Sequence, residues 1–388
     1  MGTQAGEREG VRVLGALAAL CLATFAYVTT ESIPVGLLPQ LSHSLHHSRS
    51  ATGYLVTGYA AVVVVGSVPL ALVTRRYSRR LLLLASLAVF VVGAAAGAAA
   101  QSYTVLLATR MAIAVSHCVF WAVIAATGAA LVPPERRGRA LGIVFAGASL
   151  ASVVGVPGVT WLGQQTSWRV STLAASGLGL VALAAIYALV PAVPAESERD
   201  ATARHASRVR YAFTISALGF AIVGAFALLT YITVFLSTLG GLPNSAISPV
   251  LLGSGATGAI GVYAASHFTT EHARATMAAG VAGLAVVLLA LAAFARHGVA
   301  DVVLFCCFGF ALSTLAVGVQ ARVLDTAPGN INVASAGNSA MFNVGIGGGA
   351  LLGGLLLEGP GVRSIALVGG LVSSAALAAL LAERWLVD

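Results

Sequence analysis

The feature that most constrains this chain is a succession of long apolar runs separated by short polar segments. Twelve runs reach the roughly 20 residues that a helix needs to cross a bilayer, near 13–38, 51–73, 81–100, 103–131, 138–162, 170–193, 211–238, 245–266, 274–295, 301–324, 333–357 and 364–384. In lipid, such runs satisfy their backbone polar groups by forming helices. The sequence therefore predicts an all-α polytopic membrane protein with twelve transmembrane helices.

The composition agrees with this class and excludes others. Of the 388 residues, 58% are hydrophobic and only 9% are charged, whereas soluble domains carry about 25% charged residues. The net charge of +8 does not indicate nucleic-acid binding, because the arginines cluster between apolar runs, as topology signals do. The four cysteines lie in apolar runs and predict no disulfide framework or metal site. We expect no metal at His43, His46 and His47 either, because they lack a full ligand set.

The arginine clusters also predict the orientation of the chain. The first apolar run is too long for a signal peptide, so we count it as the first span. Alternate connecting segments are rich and poor in arginine, and the rich side of a membrane protein is cytoplasmic. Both termini belong to the rich set, as an even number of spans requires, so we expect both to be cytoplasmic. The rich set contains Arg8, Arg12, Arg75, Arg76, Arg79, Arg80, Arg136, Arg137, Arg139, Arg199, Arg204, Arg208, Arg210, Arg274 and Arg384.

A weak internal repeat predicts two halves of six spans each. The same order of residue types recurs about half a chain apart, in Pro133, Phe145, Gly147, Gly155 and Arg169 and again in Pro328, Phe342, Gly345, Gly353 and Arg363. Transporters built from parallel repeats have this organisation. We therefore predict an N-terminal half at 1–193, a cytoplasmic linker at 194–210 and a C-terminal half at 211–388.

The fourth apolar run contains a stripe of polar and aromatic side chains. At about 100° per residue, His117 and Trp121 lie within roughly 20° of Arg110, with the small Ala114 between them. A charged side chain in lipid costs about 2.5–3.5 kcal/mol on insertion scales, so we expect the stripe to face a central cavity. Two structural alternatives stay open: Arg110 caps backbone carbonyls of a neighbouring helix, or His117 is a hydrogen-bonded core residue.

Glu31 is the one acid deep in an apolar run. It lies about seven residues before the outer end of the first run, and Arg110 about seven residues after the outer start of the fourth. At 1.5 Å per residue, both are roughly 10 Å below the outer surface, so we expect a Glu31–Arg110 pair, direct or through water. Burial and a nearby cation act oppositely on a carboxylate, which suits a proton carrier. A static ion pair that locks two helices is the alternative.

Five stretches, in order along almost the whole chain, resemble one family. They are residues 30–39 (Thr-Glu-Ser-Ile-Pro-Val-Gly-Leu-Leu-Pro), 79–83 (Arg-Arg-Leu-Leu-Leu), 110–121, 155–169 and 320–347. Together they resemble the major facilitator superfamily, and within its twelve-helix drug–proton antiporters they look like the bacterial sugar efflux transporters and related arabinose-type exporters. His117, Phe120 and Trp121 after Arg110 point to the sugar-efflux branch.

One loop departs from the family pattern. Between the second and third helices the superfamily usually carries an Asp that braces the cytoplasmic gate, and Arg75 stands at that position here. Arg79 and Arg80 still match the family's loop, and the resemblance gives them a gating role. How this chain stabilises its gate without the Asp is therefore left open.

The resemblance implies a major facilitator fold and a secondary active transporter. We expect proton-coupled efflux of sugars or glycosides by alternating access, with multidrug or chloramphenicol-type efflux as the alternative. No phosphate-binding loop and no nucleophile–base arrangement is present in the sequence, so we expect no enzyme activity and no cofactor, only a proton gradient. We also expect a multi-pass monomer in the bacterial inner membrane.

Specific residues are assigned to these roles as hypotheses. Proton coupling is assigned to Glu31, Arg110 and His117. Amides and hydroxyls bind sugar hydroxyls and aromatic rings bind sugar C–H faces, so the candidate substrate contacts are Tyr27, Glu31, Tyr59, His117, Trp121, Tyr231, Gln320, Asn338 and Asn343. For the tyrosines a packing or interfacial role is the alternative, and for the amides helix–helix hydrogen bonding. Close helix packing, or alternatively a hinge or occluding role, is assigned to Gly155, Pro157, Gly345 and Gly347.

Overall fold

The structure is a computed structural model that describes residues 2–74, 76–133, 136–191, 207–295, 298–328 and 331–387. The described residues are almost entirely helical and include no β-strand, which confirms the all-α prediction. Within these residues, twelve helices are long and apolar enough to cross a membrane, and they confirm the number and order of the predicted helices. We call them spans 1 to 12: Val11–Gly36, Arg49–Thr74, Arg79–Ala98, Tyr103–Ala130, Arg139–Gln165, Trp168–Leu189, Arg208–Thr230, Asn244–Phe268, His272–Phe294, Gly298–Thr326, Gly337–Glu358 and Val362–Glu383.

Several of the helices extend beyond their spans or are interrupted. Span 1 belongs to the helix Gly2–Gly36, span 11 to Ile331–Glu358 and span 12 to Val362–Val387. Spans 8 and 9 are two helices within the segment Asn244–Phe294, separated at His272, where φ is −132° and ψ is 41° and the backbone is not helical.

Two predicted helices end earlier than their apolar runs. Span 1 stops at Gly36, and a short helix, Leu38–Leu45, follows it. Span 7 stops at Thr230, and Tyr231, with φ −112° and ψ 18°, separates it from the short helix Ile232–Thr238. In both places the run stays apolar through the break, so hydropathy alone does not reveal it.

Span 5 changes helical type in its middle. It consists of the α-helix Arg137–Leu150, a π-helical turn Ala151–Gly155 and the α-helix Val156–Gln165. Pro157 explains the turn, because proline has no N–H to give to the carbonyl four residues before it. A π-helix bonds each carbonyl to the N–H five residues on, and here the N–H of Val156 donates to the carbonyl of Ala151.

By the density of internal contacts, the described chain divides into two compact units. Unit 1 is Met1–Ile33 with Val65–Ser197, and unit 2 is Pro34–Val64 with Glu198–Asp388. The division of the sequence at 193 and 211 follows the internal repeat instead and stays a prediction. Of the predicted linker, residues 194–206 lie outside the described part of the chain.

Within each unit, arginines join two spans at both ends by donating to backbone carbonyls. In unit 1 the joined spans are 3 and 6, and in unit 2 they are 9 and 12. The bonds are Arg80 Nη2 to Tyr187 O at 2.6 Å, Arg169 Nη2 to Ala100 O at 2.8 Å, Arg274 Nη2 to Leu380 O at 2.9 Å and Arg363 Nε to Ala292 O at 2.6 Å. The equivalent positions of Arg169 and Arg363 support the internal repeat seen in the sequence.

Candidate functional site

Unit 1 brings Glu31, Arg110 and His117 together, and we call these three residues the polar cluster. His117 Nδ1 lies 3.9 Å from Glu31 Oε2, and Arg110 donates through Nη2 to the backbone carbonyl of Glu31 at 3.2 Å. Arg110 and His117 are buried, whereas the side chain of Glu31 is 22% exposed. The structure thus places on spans 1 and 4, side by side, the residues to which the sequence assigns proton coupling.

Arg110 binds the backbone of span 1 and also acts on the carboxylate. Besides the Glu31 carbonyl, it donates through Nη1 to the carbonyl of Thr30 at 3.4 Å. It is also close enough to interact electrostatically with the Glu31 side chain. Arg110 therefore caps backbone carbonyls of span 1, as the structural alternative expected, and it also lies close to the Glu31 carboxylate.

Tyr27, one turn before Glu31, lies in the packed interior of unit 1. Its ring stacks on Phe120 at 4.3 Å between centroids and contacts Phe90 at 4.6 Å. Its hydroxyl lies 3.0 Å from both the carbonyl of Ser86 and the hydroxyl of Ser116. Both ends of the side chain are engaged by spans 3 and 4, which favours the packing alternative for this tyrosine.

Trp121 continues the polar cluster into an aromatic surface. Its ring lies 5.7 Å from that of His117 and stacks on Phe145 of span 5, with centroids 6.0 Å apart and planes 12° from parallel. The indole N–H is buried and has no hydrogen-bond partner among the described residues. A flat apolar face with an unsatisfied donor beside a carboxylate can bind a molecule that has both an apolar face and hydroxyl groups.

Two hydroxyls next to the polar cluster had no assignment from the sequence. Thr29 and Thr30 are buried in span 1, and their hydroxyl oxygens find no partner in the described part of the chain. Thr29 faces span 5, where a methyl group at Gly155 would collide with its hydroxyl. Threonines in a transmembrane helix usually bond their own backbone, so the sequence carries no signal that these two do not.

The candidate amides of unit 2 are partly engaged with each other. Asn338 donates to Gln320 Oε1 at 3.2 Å, and Asn343 donates to the carbonyl of Ser339 at 3.0 Å. The amide oxygens of Asn338 and Asn343 are buried without a partner in the described chain. These two acceptors are the groups that a substrate hydroxyl could satisfy, while Gln320 is exposed.

The two remaining tyrosine candidates are buried in unit 2. The Tyr231 hydroxyl lies 3.4 Å from the carbonyl of Ser50 and 3.1 Å from that of Ala350. Tyr59 is 2% exposed. For Tyr231, hydrogen bonding between spans 2, 7 and 11 accounts for the hydroxyl, which again favours the packing alternative.

The residues assigned to gating and packing lie where helices approach closely. Arg79 donates to the carbonyl of Ala126 at 3.2 Å and so ties span 3 to span 4. In span 11, added methyl groups would collide with Ile222 at Gly345 and come within 3.1 Å of Ala60 at Gly347. Close packing explains both glycines, and Arg75, at the departure from the family loop, lies outside the described residues.

An ionic cluster in unit 2 also had no assignment from the sequence. Glu383, 3% exposed, lies 3.5 Å from Arg274 Nε and accepts a hydrogen bond from Arg322. It ties together the ends of spans 9, 10 and 12. The described residues contain no group of three or more metal-ligating side chains.

Comparisons with known proteins agree with this architecture. Residues 20–336 match the Major Facilitator Superfamily. Two crystal structures of a bacterial homologue of the human lysosomal transporter Spinster, both inward-facing, have the same fold. The unoccupied form has a TM-score of 0.75 at 15% identity over 96% of this chain and 97% of that chain. The occupied form has a TM-score of 0.76 at 14% identity over 95% and 96%.

Proposed function

This chain belongs to the major facilitator superfamily, and on that premise we propose that it exports sugars or glycosides in exchange for protons by alternating access. As a member of that family it is a multi-pass membrane transporter of small molecules and not an enzyme, and such transporters need no cofactor. In the proposed mechanism, two repeated halves alternate in exposing a central site to either side.

The observation that carries the proton-coupling proposal is the placement of Glu31 in the polar cluster. A proton carrier needs an acid that can exchange its proton and whose charge is compensated when the proton leaves. The Glu31 side chain is partly exposed, while Arg110 and His117 are buried beside it. Access for the proton and compensation of the charge are therefore both available at this residue.

In the proposed cycle, Glu31 takes up a proton from the outer side as the substrate leaves. It releases the proton to the cytoplasm before the next substrate binds. Arg110 and, when protonated, His117 stabilise the carboxylate after release. His117 Nδ1, 3.9 Å from the carboxylate, can accept the proton or a substrate hydroxyl, and these two roles are alternatives.

The sugar proposal is supported by buried polar atoms that lack partners. The indole N–H of Trp121 and the amide oxygens of Asn338 and Asn343 are of this kind among the described residues. Leaving a buried polar group unpaired costs about 1–3 kcal/mol, and sugar hydroxyls would supply the missing bonds. The flat face of Trp121 suits the C–H face of a sugar ring.

A hydrophobic-drug exporter is the second candidate, and the aromatic surroundings of the polar cluster favour it. Trp121 and Phe145 form a stacked pair, and the hydroxyl of Tyr27 is already engaged by Ser86 and Ser116. Unit 1 therefore offers a stacked aromatic surface next to the polar cluster. A chloramphenicol-type drug would use this surface better than a pentose would.

Transport assays in proteoliposomes separate the two candidates. The purified protein is reconstituted, a pH gradient is imposed, and a pentose, a thiogalactoside and chloramphenicol are tested in parallel. We expect gradient-driven flux of the pentose or the thiogalactoside, reduced in Trp121→Ala. Chloramphenicol flux without any sugar flux would overturn the sugar proposal and establish the second candidate.

We further propose that the protein is a monomer in the bacterial inner membrane with both termini in the cytoplasm. The arginine distribution supports this orientation. Single cysteines introduced between residues 194 and 210 should react with a membrane-impermeant maleimide only after the membrane is opened. Labelling of intact cells would contradict the orientation.

A further inference from the structure

Two prolines lie near buried carbonyls at the outer end of span 1, Pro34 within the span and Pro39 in the short helix that follows it. In an α-helix each carbonyl accepts from the N–H four residues later, and proline has no N–H. Pro34 therefore leaves the carbonyl of Thr30 without its helical donor. The carbonyl of Val35 lies in the last turn of the helix, which ends at Gly36, and the residue four positions on is Pro39, which has no N–H to offer it. Both carbonyls belong to buried residues, where an unsatisfied polar group is costly.

Side chains from two other spans supply the missing donors. Arg110 of span 4 donates to the carbonyl of Thr30 at 3.4 Å. Thr233, in the short helix after span 7, donates from Oγ1 to the carbonyl of Val35 at 3.5 Å. Both donors are buried, at 6% exposed for Arg110 and 2% for Thr233, so water does not compete with them.

The chain passes from one compact unit to the other between these two carbonyls. Ile33 is the last residue of its segment in unit 1, and Pro34 is the first residue of the next segment in unit 2. Thr30 is thus held by an arginine of unit 1, and Val35 by a threonine of unit 2. Each of the two carbonyls without a backbone donor is therefore bound by a side chain of its own unit.

We propose that residues 30–39 form a hinge between span 1 and the short helix that follows it, and that Arg110 and Thr233 are positioning residues that fix its two sides. A helix with a missing backbone bond bends more easily at that point than an intact helix does. Span 5 shows the contrast, because there Pro157 is accommodated by a π-helical turn within the helix itself. In span 1, the donors come from side chains of other helices, so the bend depends on them.

The hinge contains Glu31, which connects it to transport. Arg110 holds the main-chain carbonyl of Glu31 at 3.2 Å, while the carboxylate of the same residue lies 3.9 Å from His117. A change of bend at Pro34 therefore moves the carboxylate relative to span 4. This connection rests on the proposed proton-coupled export, whereas the hinge itself does not.

Double-mutant cycles in the full-length protein test the hinge. Pro34→Ala restores the helical N–H for the Thr30 carbonyl, and Pro39→Ala supplies an N–H four residues after Val35, just beyond the end of span 1. We expect Arg110→Gln to lower the melting temperature in detergent by less in the Pro34→Ala background than in the wild type. Thr233→Val, which keeps the shape and removes the hydroxyl, should likewise be milder in the Pro39→Ala background.

The crossed pairs are the matched controls. Arg110→Gln with Pro39→Ala, and Thr233→Val with Pro34→Ala, should be additive, because neither proline removes the donor of the other carbonyl. Loss of the Arg110 charge beside Glu31 is the same in both backgrounds and cancels in the cycle. The proposal would be overturned if Arg110→Gln lowered the melting temperature equally in Pro34→Ala and in the wild type, and Thr233→Val equally in Pro39→Ala and in the wild type. The Thr233→Val pair removes only a hydroxyl, so it decides the question even if Arg110→Gln does not fold.

A transport readout separates positioning from stability alone. We expect Arg110→Gln to lower the maximal rate of substrate exchange about tenfold, the equivalent of about one hydrogen bond, with KM unchanged. Pro34→Ala should recover that rate in the double variant. Recovery of stability without recovery of rate would refute the positioning role of Arg110. If the wild type shows no exchange while the stability cycles are coupled, the export proposal fails and the hinge stands.

Discussion

Replacing Glu31 with glutamine should uncouple transport from the proton gradient and leave substrate exchange intact. Glutamine keeps the shape of the side chain and cannot carry a proton. Arg110 binds the main-chain carbonyls of Thr30 and Glu31, and the substitution does not remove these acceptors. The fold of unit 1 should therefore survive, so that the change reports on coupling.

The size of the effect follows from the number of titrating groups. One pH unit is worth about 1.4 kcal/mol per proton. If Glu31 alone carries one proton per cycle, a gradient of one pH unit can sustain about a tenfold substrate gradient. If His117 also carries one, the limit is about a hundredfold. In Glu31→Gln we expect the ratio of the substrate concentrations on the two sides of the membrane to fall to about one in the first case and to about tenfold in the second.

The assay compares uphill accumulation with exchange in the same proteoliposomes. Exchange of labelled for unlabelled substrate needs no net proton movement, so Glu31→Gln should retain it. Glu358→Gln is the matched control, because Glu358 ends span 11 and contacts Ser48 at 3.4 Å instead of belonging to the polar cluster. If Glu31→Gln accumulated the substrate to the same level as the wild type, the carrier role would be refuted and the static ion pair would be the better account.

Two further substitutions test the packing that supports the site. Gly155→Ala should destabilise the protein by about 1–3 kcal/mol, because the added methyl group overpacks span 5 on span 1. Gly158→Ala is the control, and it should leave the melting temperature unchanged because the new methyl group has open space around it. Equal melting temperatures for the two variants would disprove the close contact. Tyr231→Phe should cost about 0.5–1.5 kcal/mol, because it removes a buried hydroxyl whose single hydrogen is shared between the carbonyls of Ser50 and Ala350. The loss is measured by thermal unfolding against Tyr263→Phe, since Tyr263 is 69% exposed, and a loss no larger than that of the control would argue against this bonding.

The order of the helices was predictable because hydropathy in a membrane protein is a direct physical requirement. Every residue that crosses the bilayer must suit lipid or a protein interior, so the span count follows from the lengths of the runs. The breaks after Gly36 and at Tyr231 were not predictable in this way. Both lie within apolar sequence, and the Tyr231 break coincides with a hydroxyl that bonds two other helices.

The proximity of Glu31 and Arg110 was predictable from the sequence, and their atomic contacts were not. Counting residues from the ends of spans 1 and 4 placed Glu31 beside Arg110, because the helical rise is constant. The same arithmetic does not say whether a guanidinium meets a carboxylate or a carbonyl. Pro34 indicates that a carbonyl needs a donor, because it leaves that of Thr30 without its helical N–H. To predict that Arg110 is this donor, one must also know which helix lies opposite span 1.

Contacts between aromatic side chains of different helices could not be predicted from the sequence. Periodicity places His117 and Trp121 on one face of span 4, but the stacking of Trp121 on Phe145 depends on how span 5 packs against it. Tyr27 shows the same limit, since its ring contacts Phe90 and Phe120 and its hydroxyl lies beside Ser86 and Ser116, all on spans 3 and 4.

The most direct test of the account measures proton movement during transport. Proteoliposomes with the pH dye pyranine inside are loaded with a transported substrate, the membrane voltage is clamped to zero, and the outside is diluted. We predict that substrate efflux acidifies the lumen, because protons move opposite to the substrate. Glu31→Gln should abolish the signal if Glu31 is the sole carrier and halve it if His117 carries a second proton. Substrate efflux with no change in luminal pH in the wild-type protein would contradict proton-coupled export.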